Sequence, residues 1–442
     1  LVAATDELTA AVEKNVGRPK VEVLGSDILP LAAAAKFLEQ RATRLLAPKR
    51  VRGTPLYLFG ESDVVHRRPW GIVGIIGTWN YPIFLNGVQL LQALVAGNGV
   101  LWKPSENGVT SAGILVRLLQ EAGFPSGLVQ LLSADREAGP QLLESDIDYL
   151  VFTGSATVGR HVAVRLAERL IPSTLELSGV DAMFVLDDAA VDLAARAAWF
   201  GITLNRGQTC LAVRRIFVQR GIYDAFVSSL KPMVEVAAPM PLVMETQAEQ
   251  AQSLIGDAIA KGGLLLKPTD CNRWASRECP PQIVLNATPA MELCRTECFA
   301  PLATVMTFDT IEQALEMDQQ CPFALGASVF TRDSRLGQRV AQRLRAGNVS
   351  INDLIVPITH PATPFGGRGA SGWGTTQGIE GLLAMTASQV VSRRRGTLRP
   401  HFAGATPGLG RLLRAMLTLG HAKGIQERLG GLREFWRSDH NH

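Results

Sequence analysis

The sequence predicts an α/β protein with two sheet cores, one after the other along the chain. Three observations predict it. From Gly71 onward, apolar runs alternate with amphipathic stretches. The connections between them are short and carry Gly or Pro. This alternation marks parallel strands covered by helices on both faces. The chain also has the material for it: of 442 residues, 47% are apolar and 19% charged. That is enough to bury two or three domain interiors, and it argues against extended disorder.

Ile72–Ile76 reads as a strand, Val88–Ala96 as a helix and Val100–Trp102 as a short strand. Ser111–Ala122 places Leu115, Leu118 and Leu119 at helical intervals. Leu128–Leu132 and Tyr149–Phe152 read as strands, and Thr157–Leu170 as a helix. A second series follows, with strands at Ala182–Leu186, Ile216–Gln219, Ala303–Phe308 and Ala327–Phe330. Its helices are Val191–Asn205, Ala248–Lys261, Ile311–Asp318 and Ser334–Arg345. This series needs its own core, so a second domain is expected soon after Glu176. Val51–Pro69 alternates at Leu56, Leu58, Val64 and Val65 and predicts a two-stranded excursion. No internal repeat is visible.

The net charge of +4 is unevenly placed. Arg393–His442 carries ten Lys/Arg against three Asp/Glu, which leaves −3 on the first 392 residues. A nearly neutral body gives no reason to expect a nucleic-acid partner. The six cysteines are Cys210, Cys271, Cys279, Cys294, Cys298 and Cys321. They form no CxxC pair and no His cluster joins them, so neither zinc nor a disulfide scaffold is expected. Reduced thiols fit a cytoplasmic setting. No stretch reads as a secretion signal, and no apolar run reaches the roughly 20 residues that span a bilayer.

Five segments carry residue types suited to chemistry. In Asn205-Arg206-Gly207-Gln208-Thr209-Cys210, a Cys follows a Gly at a helix-to-loop junction, where substrate can reach it. A buried inert thiol is the common alternative; nucleophilic use requires help in forming the thiolate. In Thr174–Gly179, Glu176 interrupts an apolar strand. Burial there is costly unless the carboxylate is partnered, and it raises the pKa toward that of a general base. A salt-bridged or edge-exposed Glu is the alternative.

Gly77-Thr78-Trp79-Asn80-Tyr81-Pro82 directly follows a strand. An Asn amide held there can donate to an oxygen that gains charge during acyl transfer, although turn Asn residues before Pro are common. Phe152–His161 contains Gly154, Ser155 and Gly159 between a strand and a helix. Such a turn presents backbone N–H groups and a helix dipole to a phosphate. It ends Gly-Arg-His, so it lacks the Lys and hydroxyl of a nucleoside-triphosphate loop. Lys103 and Glu106 close another strand, at the sheet edge where ribose hydroxyls bind.

Each segment alone is modest. Together, in this order, they resemble the aldehyde dehydrogenase superfamily over roughly residues 26–395. Ile76–Pro82, Asn352–Val356 and Pro364–Gly367 look most like its class 3 or fatty-aldehyde branch. The resemblance implies Cys210 as nucleophile, Glu176 as general base, and Asn80 with the Cys210 backbone N–H as oxyanion donors. It implies dinucleotide contacts at Trp79, Lys103, Glu106, Gly154, Ser155, Gly159, Glu297 and Phe299. The cofactor implied is NAD or NADP, with Glu106 favouring NAD.

The resemblance also implies a three-part layout. A doubly wound dinucleotide-binding domain spans residues 1–50 and 70–178, and a catalytic α/β domain spans 179–382. A small β oligomerisation element comprises 51–69 and 386–396, and a basic extension runs over 397–442. A homodimer acting on a small aldehyde is implied. The extension holds apolar residues among arginines, which suits packing on the body or weak contact with a membrane surface. Three departures stand out: Ser178, Val180 and Ala300 replace the family's usual Gly, Lys and Gly, and are expected to tighten the cofactor channel or slow turnover. A CoA-acylating enzyme is the nearest alternative, disfavoured by Glu176; a non-catalytic binding protein on the same fold is the other.

Overall fold

The computed structural model describes the chain except residues 269–273, 275, 276, 398, 400, 401, 403 and 440–442. Cys271 lies outside the described residues. The chain forms two compact units, Leu1–Leu45 with Pro69–Thr386, and Leu46–Arg68 with Ala387–His442.

The first unit holds two large sheets. The six-stranded sheet runs Gly372–Trp373, Ser173–Leu177, Tyr149–Gly154, Ile72–Ile76, Gly99–Lys103, Val129–Leu131. Neighbours are parallel except the first pair. The chain lays down Ile72–Ile76, winds outward through the next two strands, then returns to add Tyr149–Gly154 and Ser173–Leu177 on the other side. This is a doubly wound sheet whose order reverses between Ile72–Ile76 and Tyr149–Gly154, and ligands bind where strand order reverses. The helix Ala156–Glu168 starts at Ser155, whose side chain accepts from Val158 N at 3.3 Å. An N-cap of this kind satisfies one of the helix's orphan donors. Gly159 lies directly against Leu177, where a side chain would collide.

The seven-stranded sheet runs Leu264–Leu265, Gln282–Leu285, Leu302–Phe308, Val213–Gln219, Asp181–Val185, Gly326–Phe330, Asn348–Ile351. Only its first pair is antiparallel. Asp181–Val185 is buried throughout, as parallel strands covered on both faces must be. One apolar cluster includes Phe184, Phe217 and Phe308, the other Met183, Ile216 and Phe330. Phe184 and Phe217 stack with centroids 4.9 Å apart. Each such side chain withdrawn from water contributes about 1.5–3 kcal/mol.

Helices Thr5–Val16 and Leu29–Leu46 precede the first sheet, and sequence periodicity had left this region without assigned elements. Thr5–Val16 stops at Gly17, whose φ of 75° is the left-handed cap. The helix expected over Ser334–Arg345 ends at Ala341.

The second unit contains a three-stranded sheet, ordered Lys49–Arg50, Glu61–Pro69, Thr386–Arg394. The alternation at Leu56 and Leu58 predicted strand, but Leu56–Leu58 is a 3-10 turn. Pro55 before it cannot donate to a ladder, and Gly53 and Gly60 on either side take φ of 77° and 84°, so an extended run cannot pass through. Past the sheet, Pro407–His421 and Ile425–Asp439 form a helical hairpin. Its first helix is capped by Thr406, which accepts from Leu409 N at 3.1 Å.

Candidate active site

A cavity of about 240 Å³ opens at the reversal point of the six-stranded sheet. Its wall includes Trp79, Asn80, Gly154, Ser155, Glu176 and Cys210, with Glu297 and Phe299 opposite. Eight of the eleven residues singled out from the sequence therefore share one space. Lys103, Glu106 and Gly159 are outside its wall.

Glu176 is buried in the strand Ser173–Leu177. Among the described residues no ion pair reaches it. Neutral donors hold it instead: Thr376 Oγ1 donates to Oε1, Gln89 Nε2 to Oε2 at 3.2 Å and Thr153 Oγ1 to Oε2 at 3.4 Å. Burial pushes its pKa up to about 7, and the three hydrogen bonds oppose the rise. Sequence reasoning missed Gln89 and Thr376. Nothing local in the chain marks either as a partner of Glu176.

Asn80 has its amide orientation fixed. Oδ1 accepts from Thr78 Oγ1 at 2.9 Å and Tyr81 N at 3.1 Å, so Nδ2 points the other way. One Nδ2 proton goes to the Gln208 carbonyl at 3.1 Å; an amide carries a second. Asn80 itself is seated by a buried ion pair that periodicity could not reveal. Arg18 pairs with Asp27 and also donates to the Asn80 carbonyl at 3.3 Å. Asp27 Oδ1 accepts from Ile83 N and Phe84 N at 3.1 and 2.9 Å. The Arg18 guanidinium also lies 4.4 Å from the Tyr81 ring centroid.

Cys210 is half-buried at the end of a contorted turn. Asn205, Arg206 and Gly207 take successive φ of 48°, 58° and 73°. Left-handed backbone costs roughly 1–2 kcal/mol per non-Gly residue, so the turn must be held. Asn205 Nδ2 bonds the Gln208 carbonyl at 3.1 Å, and the Arg206 guanidinium bonds the carbonyls of Val16 and Gly17. Gly207 is required, because a side chain there would collide with the Ala300 backbone. Burial, then the carboxyls of Asp181 and Glu176, push the Cys210 thiol far up; the backbone N–H groups of Cys210 and Leu211 pull the other way. These surroundings hold the sulfur in its thiol form more strongly than in a free cysteine, so the thiolate that attacks is a minor species.

The dinucleotide contacts divide. Gly154 and Ser155 form the turn into the helix Ala156–Glu168. The Glu297 carboxylate already sits at that helix start, accepting from Ala156 N at 3.3 Å. An anion is thus seated where a pyrophosphate would be, so the turn suits a dinucleotide. Trp79 and Phe299 face each other with ring centroids 6.0 Å apart. Lys103 ends the strand Gly99–Lys103; burial pulls its pKa down, and Glu106 and Asp135 oppose the change. Glu106 pairs with Arg136 at 3.5 Å on an exposed surface. Of the three departures, Ser178 lines the cavity, whereas Val180 and Ala300 are buried outside its wall.

Fold and site together define an oxidoreductase of the dinucleotide-binding class. Residues 1–391 match the aldehyde dehydrogenase family. The chain is 32% identical over 414 residues to 4,4'-diapolycopene aldehyde oxidase from a Methylomonas species, covering 90% of this chain and 76% of that protein. It is 32% identical over 346 residues to the NAD(+) benzaldehyde dehydrogenase of Pseudomonas putida, covering 75% and 70%. Among solved structures it resembles a Mycobacterium tuberculosis aldehyde dehydrogenase complexed with NAD+, at TM-score 0.82 and 28% identity, covering 88% of this chain and 82% of that one. The chain belongs to the aldehyde dehydrogenase family, and its activity is the oxidation of an aldehyde with NAD or NADP. No described helix is long and apolar enough to cross a membrane.

Proposed function

We propose that Cys210, Asn80 and Glu176 carry this oxidation in covalent stages. The supporting observation is that all three open into one cavity beside the Gly154–Ser155 turn. Cys210 loses its thiol proton to solvent in the open cavity, and the sulfur anion attacks the aldehyde carbon, giving a thiohemiacetal. Its oxygen accepts hydrogen bonds from the second Nδ2–H of Asn80 and the backbone N–H of Cys210, donors fixed before charge develops. A dinucleotide would be held here by Trp79, Gly154, Ser155, Glu297 and Phe299, with Gly159 behind the turn and Lys103 and Glu106 toward the adenosine ribose, and would supply the hydride acceptor for the oxidation. The carbon left on Cys210 is a thioester. Glu176 takes a proton from water, which attacks the thioester and releases the acid. A pKa of about 7 suits that exchange.

Mass spectrometry of Glu176→Gln mixed with aldehyde and NAD+ tests the assignment. An acyl adduct should accumulate on Cys210; turnover without any adduct there would refute it. Comparing products with and without CoA separates hydrolysis from acyl transfer to CoA.

The layout read from the sequence completes the assignment: dinucleotide binding by 1–50 and 70–178, catalysis by 179–382, oligomerisation by 51–69 and 386–396. Thr386–Arg394 is the outer strand of its sheet, and an unpaired edge invites a second copy, so we assign a homodimer. The Ile76–Pro82, Asn352–Val356 and Pro364–Gly367 motifs support the class 3 or fatty-aldehyde branch, and Glu106 favours NAD. For residues 397–442 the sequence offers packing on the body or a subunit neighbour, and a weak contact with a membrane surface.

A further inference from the structure

The second unit concentrates the chain's positive charge. Leu46–Arg68 and Ala387–His442 hold fifteen Lys and Arg against five Asp and Glu, a net of +10, which leaves −6 on the rest. The helix Pro407–His421 has no acidic residue at all. This hairpin also follows the last residue matched by the family, 391, so the family's catalytic fold does not account for it.

The hairpin closes on small residues. Gly431 of the second helix meets the backbone of Ala415 and Leu419, and a side chain at Gly431 would separate the helices. That contact spends the small faces and leaves the large apolar ones outside. Leu413 and Leu417, one turn apart, are 51% and 63% exposed. Ile425, Leu429 and Leu432 follow at i, i+4 and i+7, exposed 79%, 52% and 38%. This spacing forms one stripe per helix. Arg414 lies beside the first stripe, and Arg428 and Arg433 flank the second. No described ion pair includes Arg411, Arg414, Lys423 or Arg433. Five exposed large aliphatic side chains concentrated on one short hairpin beside cations suit a partner that offers both apolar and anionic groups. A surface with an apolar interior and an anionic rim offers both.

We infer that the face of the helix Pro407–His421 carrying Leu413 and Leu417 docks on an anionic lipid bilayer, with these two leucines entering the acyl boundary and the neighbouring arginines meeting headgroups. The inference rests on the membrane contact offered for residues 397–442 and is independent of the catalytic roles. It places the enzyme where apolar aldehydes dissolve.

Co-sedimentation of the full chain with vesicles tests it. Vesicles of phosphatidylcholine alone are compared with vesicles containing about one third phosphatidylglycerol. The expected result is capture by the anionic vesicles at least fivefold above the neutral ones, falling at least fivefold in Leu413→Glu/Leu417→Glu and with added salt. NADH production on a water-soluble aldehyde should be unchanged in that variant, which shows it is folded. If this variant has lost turnover, Arg411→Gln/Arg414→Gln, which leaves the apolar stripe intact, takes its place with the same expectation. Equal capture by both vesicle types, unaffected by the variants, would overturn the anionic hairpin inference while leaving a membrane contact. No capture by either would overturn both. A variant that shifts the sedimentation equilibrium from dimer to monomer without changing vesicle capture would assign this face to a second copy and also overturn the inference.

Discussion

The hydroxyl of Thr376 donates to Oε1 of Glu176 across 200 residues of chain. With Gln89 and Thr153 on Oε2, it gives a buried carboxyl three neutral donors and, among the described residues, no cation. Burial wins over these donors, since the pKa stands at about 7. Donors to a carboxylate favour its charged form. Thr376→Val therefore removes stabilisation of the charged form and moves the pKa further up. A hydrogen bond to a charged group is worth ~1.5–3 kcal/mol, and one pKa unit is ~1.4 kcal/mol. The acid limb of the kcat–pH profile should move about one unit toward higher pH. Thr376→Ser should restore it. An unmoved limb would show that Thr376 does not tune the base.

Cys210→Ser should abolish dehydrogenase turnover and leave dinucleotide affinity nearly unchanged, as read by fluorescence titration. A second readout follows from the thiol's surroundings. Glu176 is one of the two carboxyls that hold the thiol up. Neutralising it in Glu176→Gln leaves more thiolate at a given pH, so alkylation of Cys210 by iodoacetamide near pH 8.5 should accelerate severalfold. Slower labelling would contradict the electrostatic reading.

The Arg18–Asp27 pair is buried on both sides. Arg18→Met strands the Asp27 charge, and breaking a buried pair this way costs about 3–5 kcal/mol. Adding Asp27→Asn should recover part of that loss, because the charge is gone while an amide oxygen can still accept from Ile83 and Phe84. Urea unfolding of the two variants measures the difference. The single variant should also lose kcat, through its contact with the Asn80 carbonyl.

Asp181 is buried with its carboxyl pushed up to about 7, chiefly by burial, against the Gly326 N–H and then Arg215 and Arg214. Its folded pKa lies above the ordinary value of 3.8. The folded state therefore binds more protons between these values. Its stabilising contribution is complete below pH ~3.8 and disappears as pH rises through ~7. Glu176 acts with the same sign from 4.5 to about 7. Asp181→Asn should lose less Tm than the parent between pH 4.5 and 7.5 in calorimetry; a larger loss would reverse the sign.

The central strands of both large sheets were legible because burial on two faces leaves apolar runs such as Ile72–Ile76, whereas Gln282–Leu285 and Asn348–Ile351, toward the edges of the seven-stranded sheet, were not read. The first helices, Thr5–Val16 and Leu29–Leu46, were not read: they precede every strand, so no alternation with strands set their context. Leu56–Leu58 misled because alternation without a partner strand looks the same as alternation with one. Asn80, Glu176 and Cys210 could be named because each is a polar or reactive residue in a locally unusual setting. Gln89, Thr376, Arg18 and Asp27 are ordinary where they stand in the chain, and only distant neighbours give them meaning.

The sequence by itself determined the alternation of strands and helices, the family and the residue types available for chemistry, because periodicity and motifs are local properties of a chain. Tertiary structure alone decided that Glu176 is held by hydroxyls and an amide, that the Asn80 amide meets the Gln208 carbonyl, and that Arg18 seats the loop carrying Asn80. Those relations depend on which strands become neighbours in the sheet, and hydrogen bonds of about 3 Å form between groups that the chain separates by tens to hundreds of residues.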